Sequence, residues 1–318
     1  MCGVSSAELV TYLESATDEA LRVTHEVGVD APLPGPQTSE KADSVYGSKG
    51  VVVAVYSAVR ATCAAAAYAL VHGVATFAVV RPPGHHAYMK HPRGFCWRNN
   101  TLLAALFVAG FTKCLKRPPM RRILIVDFDL HHGGGIEQAI VSSGFGQRQR
   151  KSYEDAPGGG LEILYFSVYQ KHGYDHKDVQ MVTDKWNPRC AFKVHRMFSS
   201  EPGKWSSADT AARHALICKT VVDYGTDGGF DAVIVAAGFD HCVGEKLGDP
   251  RCPRGTDRFW TCAQMQGLGH AIHECASKCR LMKVPVSVLE GGYEADTMRK
   301  FLPAYAISSA GGPGASER

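Results

Sequence analysis

The stretch Arg122-Ile-Leu-Ile-Val-Asp-Phe-Asp-Leu-His-His-Gly-Gly-Gly135 decides the reading of the fold. Its first half is a short run of apolar, mostly branched residues without helical spacing, as expected of a strand covered on both faces. Its second half turns abruptly to acids, histidines and glycines. A buried strand that runs into such sequence delivers side chains to the crevice beyond the carboxyl edge of a parallel sheet, where open α/β folds bind ligands. The same pattern recurs outward in both directions. ATFAVV (75–80) runs into RPPGHH, EILYFSVY (162–169) ends on Tyr169, DAVIVAAGFD (231–240) ends on Asp240, and VPVSVLEGGY (284–293) ends on Tyr293. Helical or loop segments separate these runs, so the chain reads as α/β, with a central, mostly parallel sheet flanked by helices. Segments far apart in sequence are therefore aimed at one place.

Strand alternation places Asp127, Asp129 and His131 on one face at that edge. A polar loop cluster is the alternative reading, but carboxylates set in apolar sequence are costly without a compensating charge, which favours a metal. Asp240 either supplies a third ligand or caps the segment that follows it. Two Asp and one His leave a position open for water, as catalytic sites do. This oxygen and nitrogen set suits Zn²⁺, and also Fe²⁺ or Co²⁺. His85 and His86 are either satisfied core histidines or general bases beside that metal, and Asp127, left over from the ligand count, can orient one of them. Tyr293 is either a core tyrosine or a hydroxyl donor to a developing oxyanion, on a loop whose glycines permit close approach. Metal, imidazole and phenol together describe metal-assisted hydrolysis of an amide.

Composition sets the outer bounds. With 318 residues, 45% apolar and 21% charged, the chain is neither disordered, collagenous nor coiled coil. The 35 Lys+Arg against 31 Asp+Glu leave a charge of +4, too little to call for direct nucleic-acid binding. No charged segment followed by an apolar one opens the chain, so its 11 cysteines are expected as reduced thiols in nucleus or cytoplasm. Cys275 and Cys279 read as a core-facing helix turn. Val51 to Val71 has the length of a membrane span but carries Arg60 near its middle, so it reads as a buried soluble helix, with no membrane partner. KRPPMRR (116–122) reads as a helix-to-strand turn rather than a nuclear signal. The basic 144–160 segment reads as a solvated surface or a partner contact.

RPPGHHA (81–87), GFCWRNN (94–100), ILIVDFDLHHG (123–133), AGFDH (237–241) and LEGGY (289–293) resemble, in this order, the zinc-dependent histone deacetylase family, nearer its class II branch. The resemblance runs from about Asp43 to Ala306. It implies a single arginase-deacetylase-like domain over 1–318, with 144–160 as a surface insertion and 307–318 as a flexible tail. The family's first strand and a rim loop would precede the part matched by SSAELVTYLESATDEALRV (5–23). The implied activity is removal of acetyl or other acyl groups from protein lysines, histones foremost. Zn²⁺ would sit on Asp129, His131 and Asp240, with His85 and His86 as the acid/base pair and Tyr293 polarising the acetyl carbonyl.

The resemblance further implies substrate contacts at Asp43 or Ser44, Gly94, Phe95, Tyr174, Leu247 and Gly292. Asp127, Ser167 and the carbonyls of Asp129, His131 and Val168 would hold K⁺. Acetylated protein substrates, histone tails among them, and a corepressor-type complex are the implied partners. The alternatives are a weakened acyl-lysine-binding or scaffold protein, or a deacetylase of tubulin or polyamines. Relatives that hydrolyse guanidino compounds use two Mn²⁺ and more carboxylates; here His241 and Cys242 follow Asp240, which disfavours a second metal. The chain departs from the family at Gly134, where Asp or Asn is usual beside the second active-site histidine. It also departs at Ser167-Val168-Tyr169, where Ser-Leu-His is common, and at Gly173-Tyr174-Asp175, where Gly-Phe-Phe-Pro is.

Overall fold

A computed structural model describes residues 50–88, 92–142, 161–170, 192–198, 207–246 and 259–312. In chain order the elements are α1 (Val51–His72), β1 (Thr76–Ala78), α2 (Asn100–Cys114), β2 (Arg122–Asp127), α3 (Gly134–Ser142), β3 (Glu162–Tyr169) and β4 (Phe192–Phe198). They continue as α4 (Ser207–Asp227), β5 (Ala232–Ala237), α5 (Cys262–Ser277), β6 (Val286–Leu289) and α6 (Ala295–Ser309). The six strands form one sheet in the order β1-β6-β5-β2-β3-β4. Every neighbouring pair is parallel, with Asp127 of β2 beside Ser167 of β3 on one side and Ala236 of β5 on the other.

The near-continuous apolar runs have the expected cause: alternate residues face two separate cores. Ile123, Ile125, Ile163, Ile234 and Val286 face the layer of α1, α2 and α3, packing with Leu103, Phe107 and Ile136. Leu124, Val126, Leu164, Val233 and Val235 face the layer of α4, α5 and α6, packing with Ile217, Leu268 and Phe301. β4 was not anticipated. It reads FKVHRMF, whose Lys193, His195 and Arg196 interrupt any apolar run, and as an edge strand it pairs only with β3 among the described residues.

α1 is helical as expected, but it is only half-buried. Val55, Val59, Cys63, Ala66 and Leu70 line its inner stripe at helical spacing, whereas Val53 is 68% exposed. Gly73 closes it in the left-handed region (φ 66°), donating its N–H to the carbonyl of Ala69 at 2.9 Å. The 116–122 segment links α2 to β2, as read. Cys275 lies buried in α5, and Cys279 lies buried just past that helix. Residues 307–309, expected in the flexible tail, instead complete α6, where Ser308 and Ser309 are buried. Residues 313–318, the 144–160 segment and residues 1–49 lie outside the described residues.

Candidate active site

The carboxyl ends of β2, β5 and β6 carry the site. β2 ends at Asp127, so Asp129 and His131 reach their places not by strand alternation but by two successive side-chain turns. The N–H of Asp129 donates to Oδ1 of Asp127 at 3.1 Å, and the N–H of His131 donates to Oδ1 of Asp129 at 2.9 Å. Asp240 does not act as a simple helix cap. Its Oδ1 accepts the N–H of Leu130 at 2.9 Å, which draws it onto the same loop. His241, read in the sequence only as a sign against a second metal, braces that loop: its Nδ1 pairs with the carbonyl of Phe128 at 2.8 Å and its ring stacks on Trp260.

Asp129, His131 and Asp240 bring one ligand atom each to within 4.8 Å of the others. Nδ1 of His131 stands 3.2 Å from Oδ1 of Asp129 and 2.9 Å from Oδ2 of Asp240. That Oδ2 is buried and accepts no hydrogen bond of good geometry among the described residues. Ligand atoms crowded about one buried point, with a carboxylate oxygen left over, are what a cation-holding set presents. Burial and the Asp129 charge push the Asp240 carboxyl up to about 6. Burial opposes a charge on His131, but the Asp129 and Asp240 carboxylates close beside it raise it to about 10. The centre thus demands positive charge. The glycines around it leave room: a Cβ on Gly291 would lie 2.5 Å from Oδ2 of Asp129 and 2.7 Å from Oδ2 of Asp240, and one on Gly238 would overlap Asp129. Two carboxylates and one imidazole fit a single Zn²⁺-like cation with an open position.

His85 is buried beside this set, its Nδ1 3.3 Å from Oδ2 of Asp127 and its Nε2 3.7 Å from Oδ1 of Asp129. Burial alone would depress its imidazole; the charges of Asp129, Asp127 and Glu290, with the Asp127 hydrogen bond, outweigh that and hold it well above its ordinary value. The His86 ring packs on that of His85, with centroids 3.9 Å apart. Gly134 opens α3 and contributes no side chain there. Sequence reasoning missed Tyr165, whose hydroxyl donates to Oδ2 of Asp127 at 2.7 Å from the neighbouring strand. It lies fully buried in an apolar run that gives no sign of a polar role. Ser167, two residues on along the same face of β3, pairs its Oγ with Nδ1 of His132 at 3.0 Å.

Tyr293 lies at the rim, its N–H donating to Oε1 of Glu245 at 3.0 Å. Burial of its hydroxyl, then the Asp129 and Asp240 charges, push its ionisation far up, so the phenol stays a donor. Phe95 meets it edge to face, with centroids 5.6 Å apart. Gly94 and Phe95 both have positive φ (50° and 67°) in a turn closed by the Arg93 and Cys96 backbones, the geometry of a type I′ hairpin turn, which presents Phe95 at its tip. Gly292 has φ 109°. Asp43, Ser44, Tyr174 and Leu247 lie outside the described residues. His85, Cys96 and Glu290 form a second close trio. Donors from Gly84, His85 and Thr101 already occupy the Glu290 oxygens, and burial, then the Glu290 charge, push the Cys96 thiol well up.

The all-parallel sheet with this site at its carboxyl edge defines a protein of the arginase–deacetylase fold. The family described as "Histone deacetylase domain" matches residues 4–307, and the chain belongs to it. The chain is 34% identical over 182 residues to histone deacetylase 18 of Arabidopsis thaliana, covering 54% of this chain and 22% of that protein. It is 29% identical over 229 residues to polyamine deacetylase HDAC10 of Danio rerio, covering 68% and 26% respectively. The crystal structure of the HDA15 HD domain superposes with a TM-score of 0.61 at 22% identity, covering 95% of this chain and 72% of that one. The chain thus spans about a quarter of the length of these two curated relatives.

Proposed function

We propose that the chain is a zinc-dependent lysine deacetylase that removes acetyl groups from protein lysines, histone tails foremost. One observation carries this reading: Asp129, His131 and Asp240 converge within 4.8 Å beside His85, whose other nitrogen faces Asp127. When bound, the cation supplies Lewis-acid polarisation of the acyl carbonyl and makes water a better nucleophile. His85, oriented through Nδ1 by Asp127, takes the proton of the attacking water at Nε2 and passes one to the leaving lysine amine, with His86 as the second member of the acid/base pair. Tyr293, still protonated, donates its hydroxyl to the oxyanion that develops on the carbonyl. Phe95, Gly94 and Gly292 flank the acyl-lysine stem; by the family resemblance Tyr174 would form the opposite tunnel wall, and Asp43 or Ser44 and Leu247 the rim. K⁺ on Asp127, Ser167 and the carbonyls of Asp129, His131 and Val168 would steady the loop beneath. A corepressor-type complex and action in nucleus or cytoplasm belong to the same reading.

The test is acetate release by the zinc-loaded chain from acetyl-, propionyl- and trifluoroacetyl-lysine peptides and from N-acetylated polyamines. The highest kcat/KM on acetyl-lysine peptides is expected. A clear preference for polyamines would move the substrate class towards that named for the Danio rerio relative. Absence of any turnover at full zinc loading would leave an acyl-lysine-binding protein.

A further inference from the structure

The loop that bears His85 and the loop that bears Tyr293 hold one another. From the first, Nη1 of Arg81 donates to the carbonyl of Glu290 and Nη2 donates to the carbonyl of Gly292 at 2.7 Å. The Arg81 guanidinium also lies over the Tyr293 ring, 5.4 Å from its centroid. From the second, Oε2 of Glu290 accepts the N–H groups of Gly84 at 2.6 Å and His85 at 3.0 Å, and Oε1 accepts the hydroxyl of Thr101 at 2.8 Å. The partners are 189 to 211 residues apart in the chain. α2 backs the clasp: Asn100 donates Nδ2 to the carbonyl of Pro82 at 3.0 Å, and a Cβ on Gly84 would overlap the N–H of Asn100.

Glu290 is fully buried with Asp127 and Asp129 nearby, a place where a third carboxylate is costly. An apolar residue would be cheaper to bury, yet it would strand the N–H groups of Gly84 and His85. The carboxylate therefore serves the backbone that aims His85, and the guanidinium serves the backbone and ring of Tyr293. We propose that Arg81 and Glu290 are positioning residues that fix the imidazole and the phenol relative to each other across the substrate carbonyl. A misplacement of about 1 Å of such groups costs of order 10²-fold in rate. The inference rests on the hydrolase reading for the roles of His85 and Tyr293, but the clasp can be tested without turnover.

The experiment compares zinc-loaded wild type, Glu290→Gln, Arg81→Met and Arg81→Lys by amide hydrogen exchange and by steady-state kinetics on an acetyl-lysine peptide. Glu290→Gln should speed exchange at Gly84 and His85 by tenfold or more, and Arg81→Met should do so across 291–294, with zinc content unchanged. kcat should fall roughly 10- to 100-fold with KM within threefold, Arg81→Lys should recover part of the loss, and the double variant should lose less than the product of the singles. Exchange that rises only on the mutated loop, or a loss confined to KM, would overturn the clasp. If Glu290→Gln fails to fold, the exposed Arg81 decides alone. If wild type turns over no acyl-lysine, the hydrolase reading fails, and the exchange pattern still decides whether the loops are coupled.

Discussion

The backbone N–H of Gly291 donates to Oδ2 of Asp129 at 2.7 Å, joining the end of β6 to the loop after β2 across 162 residues of chain. Oδ1 of Asp129 is held in turn by the N–H of His131 at 2.9 Å, so both oxygens are fixed before any cation arrives. The carboxylate is thus oriented by backbone rather than by flexible side chains, the preorganisation a metal centre needs.

Gly291→Ala should therefore damage metal binding more than its size suggests. The added methyl would press on Asp129 and Asp240 together, and neither can retreat, because both are buried. Zinc affinity measured by competition with a chromophoric chelator should fall about tenfold or more. An unchanged affinity would show that the loop yields.

Tyr293→Phe should keep fold and zinc while turnover falls roughly 10²- to 10³-fold, the usual loss for one oxyanion donor. The Phe95 edge contact and the Glu245 hydrogen bond to the backbone survive the change. Unaltered kcat at equal zinc content would reduce Tyr293 to packing.

Tyr165→Phe removes one of the two side-chain donors on Oδ2 of Asp127 and leaves His85 to hold it alone. Burial and the Asp127 charge keep the phenol protonated, so it is a donor at every accessible pH. A buried carboxylate that loses such a partner costs about 1–3 kcal/mol, readable in denaturant unfolding, and turnover should drop about 10- to 100-fold. A neutral effect on both would mean that Asp127 does not rely on it.

His214 supplies a pH dependence away from the metal centre. Burial against the Trp260 ring, 5.3 Å between centroids, and near Cys218 depresses it to about 4. The unfolded chain binds that proton near pH 6.5 and the folded one only near 4, so stability is full above 6.5 and declines as pH falls through that window. His241, stacked on the same Trp260, is likewise depressed to about 4 by burial and adds to the slope. His214→Phe should flatten the fall in melting temperature between pH 6.5 and 4, and an unchanged slope would place the acid lability elsewhere.

Much of this was legible because buried parallel strands are written as uninterrupted apolar runs and their chemistry follows immediately. Asp129, His131, Asp240, His85 and Tyr293 all lie just beyond such runs. β4 escaped because an edge strand has no such continuity, and the half-exposure of α1 escaped because its Ala-rich stripe and its exposed valines look alike in composition. Tyr165, Glu290 and Glu245 were hidden for a different reason: each acts on a residue that only the fold brings near. The sequence grammar of strand ends locates the atoms that do chemistry, whereas the hydrogen bonds that aim them depend on register, as with Asp127 and Ser167 side by side.

The most direct test of the account is zinc stoichiometry and acetate release measured together on wild type and His131→Ala. One zinc per chain with hydrolysis of an acetyl-lysine peptide in wild type, and loss of both in the variant, is the predicted result. One zinc per chain retained in His131→Ala, or turnover that persists without it, would contradict it.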